Sequence, residues 1–199
     1  MTVGIIGAGG IGQAFARQLL KAGHTVMLSN RRGPASLEAI VNQLGSGARA
    51  GTVAEAAAAP IVVVSVTWEH LRPALTGLPA WNGRIVVDAT NPILLPDFRM
   101  SELGGRASSE IVADLVPGAR LVKVGNTLPP EILAADPHEA GGRRVLFLSG
   151  NEASAKGEFG RILETIGFAV VDLGTLATGG RLQQFPTGPL PGLNLVRLS

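Results

Sequence analysis

The chain has 199 residues, 46% hydrophobic and 16% charged, with 17 Lys+Arg against 15 Asp+Glu and a formal net charge of +2. That is one domain's length with room for a sizeable core, and it is too apolar and too nearly neutral for a disordered chain. There is no cysteine, so disulfide scaffolds, thiol chemistry and cysteine metal sites are excluded.

Apolar, branched runs recur at Val3–Ile6, Thr25–Leu28, Ile61–Val66, Arg84–Asp88, Arg120–Val124, Val145–Leu148 and Ala169–Leu173. Several are apolar at every position, the pattern of strands covered on both faces in a parallel sheet. Stretches with helical spacing lie between them. Ile11, Phe15, Leu19 and Ala22 share one face of a helix over Gly10–Ala22, and Gly23 stops it. Leu37, Ile40, Val41 and Leu44 repeat the pattern between Pro34 and Gly45. Glu152–Ile166 is a third helix, with the stripe Phe159, Ile162, Leu163 and Ile166. Strand alternating with helix predicts an α/β fold with a doubly wound, mainly parallel sheet. The boundaries expected are a domain over 1–184 and a Pro/Gly-rich C-terminal tail over 185–199. Pro186, Pro189 and Pro191 forbid a continuous helix in that tail.

The longest apolar run, around Ala56–Val66, is broken by Pro60 and Ser65 and is too short to span a bilayer. No basic stretch precedes the N-terminal apolar run, which leads to the expectation of a cytoplasmic protein. The pI of 9.7 overstates the basicity, because without Tyr or Cys almost nothing titrates between His and Lys. Scattered basic residues and 4% aromatics argue against a nucleic-acid surface.

Gly7-Ala8-Gly9-Gly10-Ile11-Gly12 fits G-x-G-x-x-G between the first strand and first helix. Gly7 permits the tight turn, Gly9 lets backbone approach a pyrophosphate, and Gly12 lets helix pack on strand. The helix N-terminus then favours the negative charge. The alternative is a purely structural glycine turn. After the second strand come Ser29-Asn30-Arg31-Arg32. A site for NAD would place a carboxylate here to hold the ribose 2′-hydroxyl; two guanidinium groups suit a 2′-phosphate instead, pointing to NADP(H). The alternative is a pair of solvated arginines in a surface turn.

Five ordered stretches carry a resemblance: Gly7–Gly12, Ser29–Arg32, Thr67-Trp68-Glu69-His70, Asp88-Ala89-Thr90-Asn91-Pro92 and Gly125-Asn126-Thr127-Leu128. On them the chain resembles the NADPH-dependent reductases of the deazaflavin coenzyme F-420 and related bacterial dinucleotide-binding oxidoreductases. It is similar also to the cytosolic reductase domain of six-transmembrane metalloreductases. The resemblance implies a Rossmann fold and hydride transfer between NADP(H) and a flavin or deazaflavin co-substrate. It places the pyrophosphate at Ala8, Gly9, Gly10 and Ile11, and the 2′-phosphate at Asn30 and Arg31, with Ser29 and Arg32 beside them. Val66 and Thr67 would lie under the nicotinamide ribose. Asn91 and Pro92 would end the next strand at the same edge, and Asn126 and Thr127 would line the hydride-transfer pocket. It also implies a homodimer. Two departures stand out: Asn126 occupies a position where the deazaflavin reductases carry histidine, and the tail replaces a leucine-rich terminal helix, as in the metalloreductase domain.

Hydride passing between two rings needs positioning more than proton transfer, so no catalytic acid or base is named. No His, Asp or Glu set has metal-ligand spacing. His24 and His138 read as turn and loop residues, while His70 lies near the expected site. Trp68 is read as packing beside a strand end, with shielding of the ring pocket as its alternative. Two other functions fit the same residues: an NADP(H)-binding redox sensor without turnover, and a reductase of another small substrate such as an imine or carbonyl compound. The latter would need a proton donor beside the nicotinamide.

Overall fold

A computed structural model describes residues 1–198. In chain order it runs β1 (Thr2–Ile6), α1 (Gly10–Lys21), β2 (Thr25–Ser29), α2 (Glu38–Leu44), β3 (Ala48–Ala50), α3 (Val53–Ala57), β4 (Ile61–Val64), α4 (Trp68–Leu75) and β5 (Ile85–Asp88). A small hairpin follows, β6 (Ile93–Leu94) and β7 (Arg99–Met100), then α5 (Ser108–Leu115), β8 (Arg120–Val124) and α6 (Pro130–Ala134). The chain ends with β9 (His138–Glu139), β10 (Gly142–Gly150), α7 (Ala153–Ile166), β11 (Ala169–Asp172), α8 (Gly179–Gln183) and β12 (Val196–Leu198).

Six strands in the order β3-β2-β1-β4-β5-β8 are all parallel. β10 then pairs antiparallel with β8, and β11 parallel with β10. The doubly wound α/β reading therefore holds, with one reversal past β8. Chain order jumps outward in both directions from between β1 and β4. Such a switch point opens a crevice at the carboxyl ends of the strands.

Each face of the sheet has its own core, as the unbroken apolar strands require. On one face Phe15 and Leu19 of α1 and Phe159 and Leu163 of α7 pack on Val3, Ile5, Val63, Val87 and Val122. On the other, Leu71, Leu75 and Val112 pack on Ile6, Val62, Val64 and Val86. A fully buried Leu or Phe side chain contributes about 1.5–3 kcal/mol. Close approach is bought with glycine at Gly4, where a Cβ would meet the Ala56 carbonyl oxygen of α3 at 1.9 Å.

Several boundaries differ from the expected ones. The second helix is split: Pro34–Leu37 forms a 3-10 turn before α2 begins at Glu38. The fourth strand stops at Val64; the Ser65 amide makes a last bond to the Ile6 carbonyl at 2.8 Å, and Ser65 and Val66 line the crevice. Among its described residues, 185–198, the tail holds no helix, and it is knitted into the domain. The Phe185 amide donates to the Asn91 side chain, the Gly192 amide to the Thr127 carbonyl, and Val196–Leu198 pair with Gly142–Arg144. Among the described residues no helix is long and apolar enough to cross a membrane.

Candidate functional site

The glycine turn is pinned from both neighbouring strands. The Gly7 amide donates to the Ser29 carbonyl at 3.0 Å, and the Ser65 hydroxyl donates to the Gly7 carbonyl at 2.8 Å. Gln13 reaches back to the Ala8 carbonyl at 3.0 Å. Gly7 has φ of +104°, which side chains rarely adopt. A Cβ on Gly12 would lie 2.0 Å from the Gly7 oxygen. Both glycines are thus demanded by the fold.

Gly9 is different. Its φ is −76°, open to any residue, and a Cβ there would meet nothing within 4 Å. Neither strain nor packing explains a glycine at this position. A ligand lying against the backbone does, and the 12-residue helix behind it has no side-chain cap on its first-turn amides. Uncapped amides and the helix dipole form an anion site. The residues present therefore fit a dinucleotide pyrophosphate.

Two chambers meet at this turn. Gly9, Ser65, Val66 and Thr67 line both. One chamber, about 470 Å³, is lined by Asn30, Arg31, Val53, His70, Pro73 and Leu78. The other, about 510 Å³, is lined by Gly10, Ile11, Trp68, Asn91, Phe98 and Phe185. Both are within the size range of cofactor clefts.

At the first chamber's outer end, Arg31 and Arg32 are exposed and in no ion pair among the described residues. The loop carrying them is shaped by Asn30. Its Oδ1 accepts from the Arg32 amide at 2.9 Å and its Nδ2 donates to Ser36 Oγ at 2.9 Å. Asn30 therefore presents the arginines as well as lining the chamber. Ser36 escaped the sequence reading, because nothing in its own neighbourhood marks it. Ser29 departs from the expectation: it is fully buried and its hydroxyl donates to the Ile5 carbonyl at 3.0 Å, so it secures the strand end and presents nothing to a ligand. On the chamber's wall, Thr67 Oγ1 and His70 Nδ1 are 2.7 Å apart. At the start of α3 the Thr52 amide and hydroxyl donate to Glu55 and hold its carboxyl below the usual range. This capping box fixes the helix end from which Val53 lines the chamber.

The second chamber rests on a buried ionic cluster. Lys123 and Asp88, both 0% exposed, pair at 3.1 Å. Asp88 also accepts from Ser109 Oγ at 2.8 Å and from the Thr90 amide and hydroxyl at 2.9 and 2.7 Å, while Lys123 donates to the Thr90 carbonyl at 3.0 Å. Every strong acceptor of the carboxylate is used, as a buried charge requires. The cluster fixes Thr90 and with it the chain direction at Asn91. Pro92 is buried behind that turn, off the chamber's lining. Asn126 and Thr127 also depart from the expectation. They are 6% and 4% exposed and neither lines the chamber. Asn126 stands behind Asn91, and Thr127 receives the tail at its carbonyl.

The chamber's outer walls come from segments remote in sequence. Phe98 of the hairpin is 67% exposed and Phe185 of the tail 41% exposed. Glu69 of α4 accepts from the Leu95 amide at 3.0 Å and ties the hairpin down. Trp68 packs partly on the second core while also facing this space. The lining carries no carboxylate, amine or imidazole. Among the described residues no group of three or more His, Asp or Glu could hold a metal ion.

Residues 2–92 match the family described as NADP oxidoreductase, coenzyme F420-dependent. A protein of Sinorhizobium meliloti, SMa0349, described as hypothetical, is 45% identical; the match covers 99% of this chain and 96% of that one, with a TM-score of 0.93. A structure described as a putative F420-dependent NADP-reductase from Arthrobacter sp. FB24 is 27% identical, covering 88% and 86% of the two chains, with a TM-score of 0.77. The rat metalloreductase STEAP3 is 28% identical over 190 residues, which are 95% of this chain but 37% of that protein. The chain thus spans little more than a third of that curated relative's length.

Proposed function

We propose that this chain, which belongs to one family with the Sinorhizobium meliloti protein and is related to the coenzyme F420-dependent NADP oxidoreductases, is an NADPH-dependent oxidoreductase acting on a flavin or deazaflavin. The observation that carries the reading is the pairing of two unlike chambers through one glycine turn. One chamber is lined by Arg31, with Arg32 next to it in the chain and both exposed and in no ion pair among the described residues, and the other is walled by Trp68, Phe98 and Phe185.

NADPH, when bound, supplies the hydride. Arg31 and Arg32 would hold its 2′-phosphate, and the backbone of Gly9 and Gly10 its pyrophosphate. Ser65, Val66 and Thr67 would support the ribose at the junction. Phe98 and Phe185, both exposed, offer apolar faces against which a flat ring would stack, and a ring so held would itself cover the reacting atoms from water. Hydride passing from nicotinamide C4 to a deazaflavin C5 or a flavin N5 leaves a delocalised ring anion that can take its proton at N1 from solvent, and the lining offers no carboxyl, amine or imidazole to act as an acid. The same feature weighs against reduction of an imine or carbonyl, where the product nitrogen or oxygen must be protonated.

The test is anaerobic oxidation of NADPH in the presence of FMN, FAD, the deazaflavin and ferric chelates in turn. Turnover with a ring acceptor is expected. Tight NADPH binding with no acceptor reduced would leave the redox-sensor reading in its place.

A further inference from the structure

Three amides meet behind the second chamber, and they come from three separate parts of the chain. Asn126 Nδ2 donates to Asn91 Oδ1 at 2.9 Å and to the Gln183 carbonyl at 2.7 Å. Asn91 Nδ2 returns a bond to the Asn126 carbonyl at 2.9 Å. The Phe185 amide donates to the same Asn91 Oδ1 at 3.2 Å. Gln183, fully buried, is held by the Ser149 hydroxyl at 3.0 Å and by the Phe147 carbonyl at 3.0 Å.

Counting donors and acceptors gives the consequence. A primary amide has two N–H donors and one oxygen with two lone pairs. Both hydrogens of Asn126 are committed to acceptors, so its amide cannot be turned round, and its own Oδ1 is left buried without a partner. Folding gains nothing from that orphaned oxygen, which a smaller or apolar residue would remove. Asn91 Oδ1 is likewise filled by two donors. Only one polar hydrogen of Asn91 remains, the second N–H of Nδ2, and Asn91 is the member of the network that lines the chamber.

We infer that Asn126 is a positioning residue. It fixes the polarity of Asn91 so that the chamber is offered an N–H and not a carbonyl, and that N–H selects a carbonyl oxygen on the ring at the nicotinamide end of the cofactor. Through the shared Oδ1 the same bond anchors the backbone of Phe185, so the donor and the aromatic wall are set together. This rests on the NADPH reading given above.

The test is calorimetric titration with NADPH and with 2′,5′-ADP, which carries the adenosine and its phosphate but no nicotinamide. Asn126→Asp keeps the shape but turns a donor into an acceptor facing two oxygens. Asn91→Asp keeps the acceptor for Asn126 and Phe185 and removes both N–H groups, the outward one and the one given to the Asn126 carbonyl. Each variant should weaken NADPH about tenfold, the effect of losing one hydrogen bond, and leave 2′,5′-ADP within about twofold. If both ligands weaken alike, the network is merely structural and the inference falls. It falls equally if a folded Asn91→Asp protein binds NADPH as the parent does. If the unmodified protein fails to bind 2′,5′-ADP, the cofactor assignment itself is overturned, an outcome separate from the other two.

Discussion

Reversing the charge at Arg31 tests the cofactor assignment most directly. The side chain is exposed and in no ion pair among the described residues, so Arg31→Glu breaks nothing the fold uses and stability should stay within about 0.5 kcal/mol. A charge-assisted hydrogen bond to phosphate is worth about 1.5–3 kcal/mol. The new carboxylate adds repulsion of about 1 kcal/mol for unit charges ~4 Å apart in water. The sum, about 2.5–4 kcal/mol, corresponds to roughly a hundredfold loss or more in NADPH affinity. NADH, with a hydroxyl in place of the phosphate, should change by less than about threefold. Fluorescence titration of both nucleotides at low and high salt provides the readout. The NADPH penalty should shrink as salt rises, because the contact is exposed. Comparable affinity of the parent protein for NADH and NADPH, or an equal loss of both in the variant, would refute the phosphate assignment.

Gly9→Ala should leave the thermal midpoint unchanged while weakening NADPH, since its Cβ meets only the ligand's space; Gly12→Ala should lower stability by about 1–3 kcal/mol, its Cβ lying 2.0 Å from the Gly7 oxygen. Urea unfolding would separate the two. Lys123→Met strands the Asp88 carboxylate in the interior and should cost about 3–5 kcal/mol, part of it regained when Asp88→Asn is added. For Glu55 the folded value lies below the usual 4.5. Its contribution is therefore present above that value and lost as pH falls through the lowered one. The difference in thermal midpoint between the parent and Glu55→Gln should be visible at neutral pH and vanish in acid.

The parts of the site that the sequence revealed are those whose chemistry is local. The glycine turn and the arginine pair each occupy a handful of consecutive residues next to a recognisable strand. What it hid depends on topology. Ser29 carries the right chemistry, but the inward phase of its strand turns the hydroxyl onto Ile5. The resemblance implies that Asn126 lines the pocket. The returning chain at Gln183 and Phe185 covers that residue and leaves Asn91 in front. Phe98 and Phe185 join one chamber from 87 residues apart in the numbering, a meeting no periodicity encodes. The prolines correctly excluded a helix from the tail, but its pairing with β10 depends on backbone hydrogen bonds, which carry no side-chain signature.

The reversal of direction between β8 and β10 makes the groove lopsided. Toward the arginines it runs out to exposed side chains, whereas at the opposite limit it meets Phe185, whose amide is fastened to the Asn91 side chain. Nucleotide analogues enlarged on the adenosine moiety should therefore be tolerated, and immobilised or dye-bearing forms attached there should still load. Those enlarged on the pyridine ring should load as well but take up the room that the second ring needs, and so block turnover.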